Sequence, residues 1–150
     1  MLGSRHAAQP APAQSRPASV KVKATTLPTS FDATQQWPQY IVPITDQGNC
    51  GSCWAFGTAD ACSDRINIAT KSYRKLSAQD ALSCCSPAKS CGYGCDGGYP
   101  NGAWQYFMSA GLVSGGEYGS GQGCLPYSIG PVTSSSQASA STPACTAACR

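Results

Sequence analysis

Gln47-Gly48-Asn49-Cys50-Gly51-Ser52-Cys53-Trp54-Ala55-Phe56 is the run in this chain whose residue types and spacing point most directly to chemistry. Cys53 stands where a loop of small residues gives way to a helical pattern. A thiol at a helix start feels the positive end of the macrodipole and unpaired N–H groups, an environment that favours a thiolate nucleophile. Its backbone N–H and the side-chain amide of Gln47, six residues upstream, can converge on an oxyanion. Gly51 and Ser52 keep the approach open for a substrate backbone, and Trp54 reads mainly as core with a secondary role in shielding the site. Other readings stand beside this one. Cys53 could be half of a cystine, or Cys50-x-x-Cys53 a redox pair, although that pair calls for a preceding strand and Val42-Pro43-Ile44-Thr45 is a poor one. A glutamine in a polar loop is commonly just solvated.

The elements that must hold this run are partly legible. Ala55, Ala59, Cys62, Ile66 and Ala69 recur at three- and four-residue spacing and predict a helix from Ser52 or Cys53 to Ala69 with one buried stripe. Cys62 on that stripe is expected to be a buried thiol that packs as a small hydrophobe. Ser77-Ala78-Gln79-Asp80 opens a second, shorter helix with a serine cap and an acid in its first turn. A third runs from Pro100 to Ser109, with proline at its start, Gly111 past its end, and Ala103, Trp104, Phe107 and Met108 facing inward. Beyond Gly115 the pattern dissolves into Gly-rich and then Ser/Ala-rich sequence, with Cys124, Cys145 and Cys149 as its anchors.

Bulk composition bounds the rest. The 150 residues, 41% hydrophobic, make one domain's worth of chain with a modest core. Residues 1–26 carry Arg5, Arg16, Lys21, Lys23 and no acid, and read as a disordered leader rich in Ala, Pro, Gln and Ser. That leader lacks the apolar core of a secretory signal. Residues 27–150 are nearly neutral, so they offer no electrostatic footprint for nucleic acid. No apolar run approaches the roughly 20 residues needed to span a bilayer. Ten cysteines point to an oxidising compartment. Zinc competes for them, through Cys50-x-x-Cys53 and the group Cys84, Cys85, Cys91 and Cys95.

The Cys50-Gly51-Ser52-Cys53-Trp54 segment carries the signature of papain and the cathepsins, and the chain is identified on it as resembling a papain-like cysteine peptidase. Leu27-Pro28-Thr29-Ser30-Phe31-Asp32-Ala33 with Gln36-Trp37-Pro38 resembles the mature N-terminus of the cathepsin B-like branch. Ser63-Asp64-Arg65-Ile66, Cys84-Cys85, Cys95-Asp96-Gly97-Gly98-Tyr99-Pro100, Gly111-Leu112-Val113-Ser114-Gly115-Gly116 and Pro126-Tyr127-Ser128-Ile129 follow in the same order. The resemblance implies an α+β papain-like fold of which residues 27–150 supply the mainly helical, disulfide-rich left domain, the right domain being absent. It implies the bridges Cys50–Cys95, Cys84–Cys145, Cys85–Cys91 and Cys124–Cys149. It accounts for these cysteines individually, so neither a metal nor a cofactor is expected.

The same resemblance assigns Cys53 as nucleophile and Gln47 as oxyanion donor. It also gives Gly97 and Gly98, which otherwise make a turn beside a disulfide, a backbone edge for an extended substrate strand. Tyr99 and Pro100 would border the pocket for the residue two before the cleaved bond. The expected partners are a peptide or protein substrate and the missing C-terminal domain, in a lysosomal or secreted setting.

Departures from the pattern are informative. The activating histidine and its asparagine are expected about 130–150 residues downstream of the cysteine; here 97 residues follow Cys53 and none is histidine. Tyr40 and Asn67 stand where the branch carries two cysteines bonded to each other. Val132 replaces a cysteine of the occluding loop, and Pro131-Val132-Thr133-Ser134-Ser135 lacks the two histidines that grip a substrate's C-terminal carboxylate. Endopeptidase rather than carboxydipeptidase action is expected of a full-length relative. The rival functions are a non-catalytic peptidase-like protein that binds peptides or inhibitors, and a disulfide-rich redox or structural module.

Overall fold

A computed structural model describes residues 28–146 and Cys149; the leader read over residues 1–26 lies outside the described residues. Its helices are α1 (Ala33–Gln36), α2 (Cys53–Thr70), α3 (Ala78–Cys84) and α4 (Pro100–Ala110), with single 3-10 turns at Pro87–Lys89 and Gly94–Asp96. Among the described residues there is no extended strand. Two isolated antiparallel bridges, Leu76↔Ser114 and Gly92↔Gly98, tie loop to loop instead.

Local sequence explains each boundary. The side chain of Ser77 caps α3 by accepting from the Asp80 N–H, and its hydroxyl also donates to Leu125 O at 2.6 Å. Pro100 sits in the first turn of α4, where its missing N–H costs nothing. Gly111, at φ 74°, ends that helix.

α2 is the central element, packed against both α3 and α4. Ala55, Ala59, Ala78, Ala81 and Ala103 are buried at these contacts, and their small size lets the backbones approach. Trp54, Phe56, Leu82, Tyr106 and Tyr127 fill the remaining core.

The buried face of α2 differs from the expected stripe. Ile66 and Ala69 are exposed and Cys62 is only half-buried, whereas Ser63 and Asn67 are fully buried. Four-residue spacing from Ala55 through Ala59 continues onto these two polar residues because both are satisfied there. Ser63 Oγ donates to Ala59 O and accepts from the Leu76 N–H. Asn67 donates to Tyr40 O and Arg74 O and accepts from the Arg74 N–H.

The Asn67–Tyr40 contact joins the two positions at which the resemblance implies a pair of bonded cysteines, and here a hydrogen bond of 3.1 Å links them. Asn67→Ala would remove three part-buried hydrogen bonds to the Tyr40 and Arg74 backbones. It is expected to lower stability by about 2–4 kcal/mol, read as a shift in the urea midpoint. Met108 on α4 is also opposite to expectation: it is 80% exposed, and Gly102, Ala103 and Tyr106 form the inner face. Trp104 is half-buried, with the Arg65 guanidinium over its ring.

One carboxyl on α2 has an unusual setting. Among the described residues, Asp60 Oδ1 is buried with no hydrogen-bond partner. Burial pushes the Asp60 carboxyl up to about 6; Lys75 opposes this, while Asp64 and Glu117 add to it. A carboxyl raised in the folded state binds protons that the unfolded chain has released. Its contribution is therefore present below pH 4 and is lost as pH rises from about 4 to 6. The expected loss is about 1–2 kcal/mol, allowing for solvent screening at a partly exposed group. Stability measured against pH should show this fall, and Asp60→Asn should flatten it.

Candidate active site

Cys53 is the first residue of α2 and is partly exposed. The loop that delivers it is held from several sides. The Cys50–Cys95 disulfide, with Cα atoms 4.6 Å apart, joins it to the 3-10 turn at Gly94–Asp96. The Gly51 N–H donates to Cys95 O at 2.8 Å. Gln47 Nε2 folds back across the loop to donate to Cys50 O at 2.7 Å. An amide carries two N–H groups, so this bond leaves the second for a ligand. Cys50 being bonded to Cys95, it is not the redox partner of Cys53. The other three pairs are Cys84–Cys145, Cys85–Cys91 and Cys124–Cys149, at Cα separations of 4.8, 5.4 and 6.1 Å. This is the pairing the resemblance implies, and it removes from zinc the thiolates that a metal site would use.

Trp54 lies beneath the Gly97–Gly98 segment. Its ring is 1% exposed and its indole N–H donates to Gly94 O at 3.2 Å. A Cβ on Gly98 would fall 2.5 Å from the ring, so only glycine permits this approach. Gly97, at φ 103°, adopts a backbone conformation that side chains disfavour. The Tyr93 N–H bonds Gly97 O, and the Tyr99 N–H bonds Cys91 O. Those two bonds flank the Gly92↔Gly98 bridge and make it a non-hydrogen-bonded pair. The N–H and C=O of Gly98 therefore point away from Gly92, toward the outer edge. Tyr99 and Pro100 follow at the start of α4 and are partly exposed.

The structure thus brings Gln47, Gly51, Ser52, Cys53 and Trp54 to one loop–helix junction and clamps Gly97–Pro100 beside it. Sequence reasoning missed two further parts. Tyr127 is buried, its ring packed edge-on against Phe56 at 4.7 Å between centroids. Its hydroxyl reaches both Ser52 Oγ and Gln47 O at 2.8 Å. Burial pushes the Tyr127 phenol up, against the Ser52 hydrogen bond, so it stays protonated. The motif Pro126-Tyr127-Ser128-Ile129 was the available signal. The second part is the Ser/Ala-rich segment 137–142, which is pinned by more than cysteines. Asn49 Nδ2 donates to Gln137 O, the Ala140 N–H to Asn49 O, and the Cys95 N–H to Thr142 Oγ1.

A cysteine thus opens α2, with an amide-bearing loop tied to it and a glycine edge beside it. Residues 27–149 match the papain family cysteine protease domain, and the chain belongs to that family. Among curated relatives it is similar to cathepsin B-like cysteine proteinase 4 of Caenorhabditis elegans, at 50% identity over 114 residues. That match takes in 73% of this chain and 33% of the relative. It is also similar to the gut-specific cysteine proteinase of the same organism, at 45% identity over 134 residues, or 87% of this chain and 40% of the relative.

Among solved structures, procathepsin B S9 from Trypanosoma congolense superposes with a TM-score of 0.68 at 37% identity, covering 84% of this chain and 39% of that one. The Carica candamarcensis cysteine protease CMS1MS2, in complex with E-64, superposes with a TM-score of 0.52 at 38% identity, covering 59% and 38%. The chain spans between a third and two-fifths of the length of these curated relatives. Among the described residues no helix is long and apolar enough to cross a membrane.

Proposed function

We propose that this chain is the nucleophile-bearing part of a cathepsin B-like cysteine peptidase. The observation that carries the reading is the position of Cys53, first residue of α2, on a loop bonded through Cys50–Cys95 to the Gly97–Gly98 edge. In this reading Cys53 sulfur attacks a peptide carbonyl carbon and the π electrons move to oxygen. The second N–H of Gln47 Nε2 and the Cys53 backbone N–H stabilise that oxyanion. Collapse expels the amine, which takes a proton, and leaves a thioester; water then hydrolyses the thioester and restores the thiol. Gly98 aligns the substrate as an added strand, and Tyr99 and Pro100 border the pocket for the residue two before the cleaved bond.

The proton for the leaving amine requires an imidazole, which the residues after Cys53 here do not include. The reading therefore assigns the histidine, its asparagine and the right domain to the further length that the relatives possess. Four disulfides fit an oxidising setting, lysosomal or secreted. Pro131–Ser135, without histidines, favours endopeptidase action. A second reading is a non-catalytic protein that holds peptides or inhibitors at the same Gly97–Gly98 edge.

The test uses an N-blocked dipeptidyl epoxide and peptide mapping. Labelling should fall on Cys53 at least about tenfold faster than on Cys62, whose thiol burial pushes up against the influence of Arg65. Cys53→Ser should abolish it. Equal labelling of the two cysteines would overturn the peptidase reading, and reversible peptide binding without labelling would favour the second.

A further inference from the structure

The Tyr127 hydroxyl lies at the centre of a buried relay that joins both ends of the loop before Cys53. Its single proton goes to Gln47 O, so the contact with Ser52 must run the other way, from Ser52 Oγ–H to Tyr127 Oη. Ser52 is wholly buried and stands at the cap position of α2, yet its side chain makes no capping bond. A serine there ordinarily caps, worth about 1 kcal/mol; this one is turned to the phenol instead. Gln47 in turn is gripped at its carbonyl by Tyr127 and at its amide by Cys50 O. These two grips fix the direction of the remaining amide N–H. The ring itself is fixed by Phe56, three residues into α2.

We propose that Tyr127 is a positioning residue for the oxyanion site, its hydroxyl setting the Gln47 amide and the Ser52–Cys53 turn in mutual register. The inference rests on the peptidase reading above. It concerns acyl transfer through a tetrahedral oxyanion and not the intrinsic reactivity of the thiol. A displacement of about 1 Å at such a site can cost about 10²-fold, and loss of an oxyanion donor about 10²–10³-fold.

Two reagents separate these effects in the 150-residue chain. A p-nitrophenyl ester of an N-blocked dipeptide acylates through an oxyanion, and its leaving group departs without a general acid. Iodoacetamide alkylates by direct displacement and forms no oxyanion. Tyr127→Phe keeps the ring against Phe56 and removes only the hydroxyl. It is expected to slow acylation of Cys53 about tenfold or more while changing iodoacetamide alkylation less than about twofold. Ser52→Ala cuts the relay at its other end and should show the same selectivity, which keeps the test available if Tyr127→Phe does not fold.

Unchanged acylation in the folded variants, or equal loss in both reactions, would overturn the positioning role. If Cys53 of the unaltered chain takes the ester no faster than Cys62, the peptidase reading falls and this inference with it. Fast acylation in the unaltered chain and in both variants overturns this inference alone.

Discussion

The 150-residue chain is expected to accept an acyl group at Cys53 yet to hydrolyse amide bonds at a rate about 10²–10⁴-fold below that of a complete enzyme. The asymmetry follows from the leaving group. A p-nitrophenolate leaves without help, so attack by sulfur and stabilisation by the Gln47 loop suffice. An amine leaves only if protonated, and no imidazole follows Cys53 in the sequence. The helix start contributes electrostatically but over a limited range, about 0.3–2 kcal/mol, which cannot replace a positioned acid and base. Rates on a dipeptidyl p-nitrophenyl ester and on the matching p-nitroanilide measure the difference directly. Anilide turnover at ordinary enzyme rates, about 1 s⁻¹ or faster, would show that another group serves as the base. Adding free imidazole tests the same idea from the opposite side, since it should raise anilide release where a histidine is what is lacking.

Much of the scaffold around Cys53 was legible because local chemistry fixed it. The loop-to-helix change placed the start of α2, the Ser77 cap and Asp80 placed α3, and Pro100 with Gly111 bounded α4. Which face of α2 is buried was not legible. Ala, Ser, Thr and Asn give that helix little amphipathic contrast, and its inner face is completed by Ser63 and Asn67, whose hydrogen-bond partners lie outside the helix. Nothing within α2 announces that Tyr40 O and the Arg74 backbone will meet Asn67. Tyr127 is a longer-range instance, since its two partners precede it by 75 and 80 residues. The 137–142 segment reads as featureless because its own side chains do little. Its place is set by backbone groups meeting Asn49 and by Thr142 meeting the Cys95 N–H.

The ties through Asn49, Thr142 and Tyr127 meet around the Cys50–Cys95 bridge, and removing that bridge is expected to have a large effect on stability. The bond closes a loop of 45 residues that contains all of α2 and α3. In the chain-entropy account, freeing a loop of that length raises the entropy of the unfolded state enough to cost about 4 kcal/mol. Domains have only about 5–15 kcal/mol in total. Paired Cys50→Ala and Cys95→Ala substitutions avoid leaving a stray thiol near Cys53, and should lower the urea midpoint by roughly 1.5–4 M.

A site effect should accompany the loss of stability. The Gly51 N–H to Cys95 O bond survives in principle, but it alone must then hold the nucleophile loop against the Gly94–Asp96 turn. Because Trp54 is wedged between that turn and Gly98, relaxation there would also shift the substrate edge. Ester acylation of Cys53 should therefore slow even at urea concentrations where the variant remains folded. A variant that loses stability while acylating at the original rate would show that the bridge anchors the fold alone and that the Gly51–Cys95 bond is enough to hold the site.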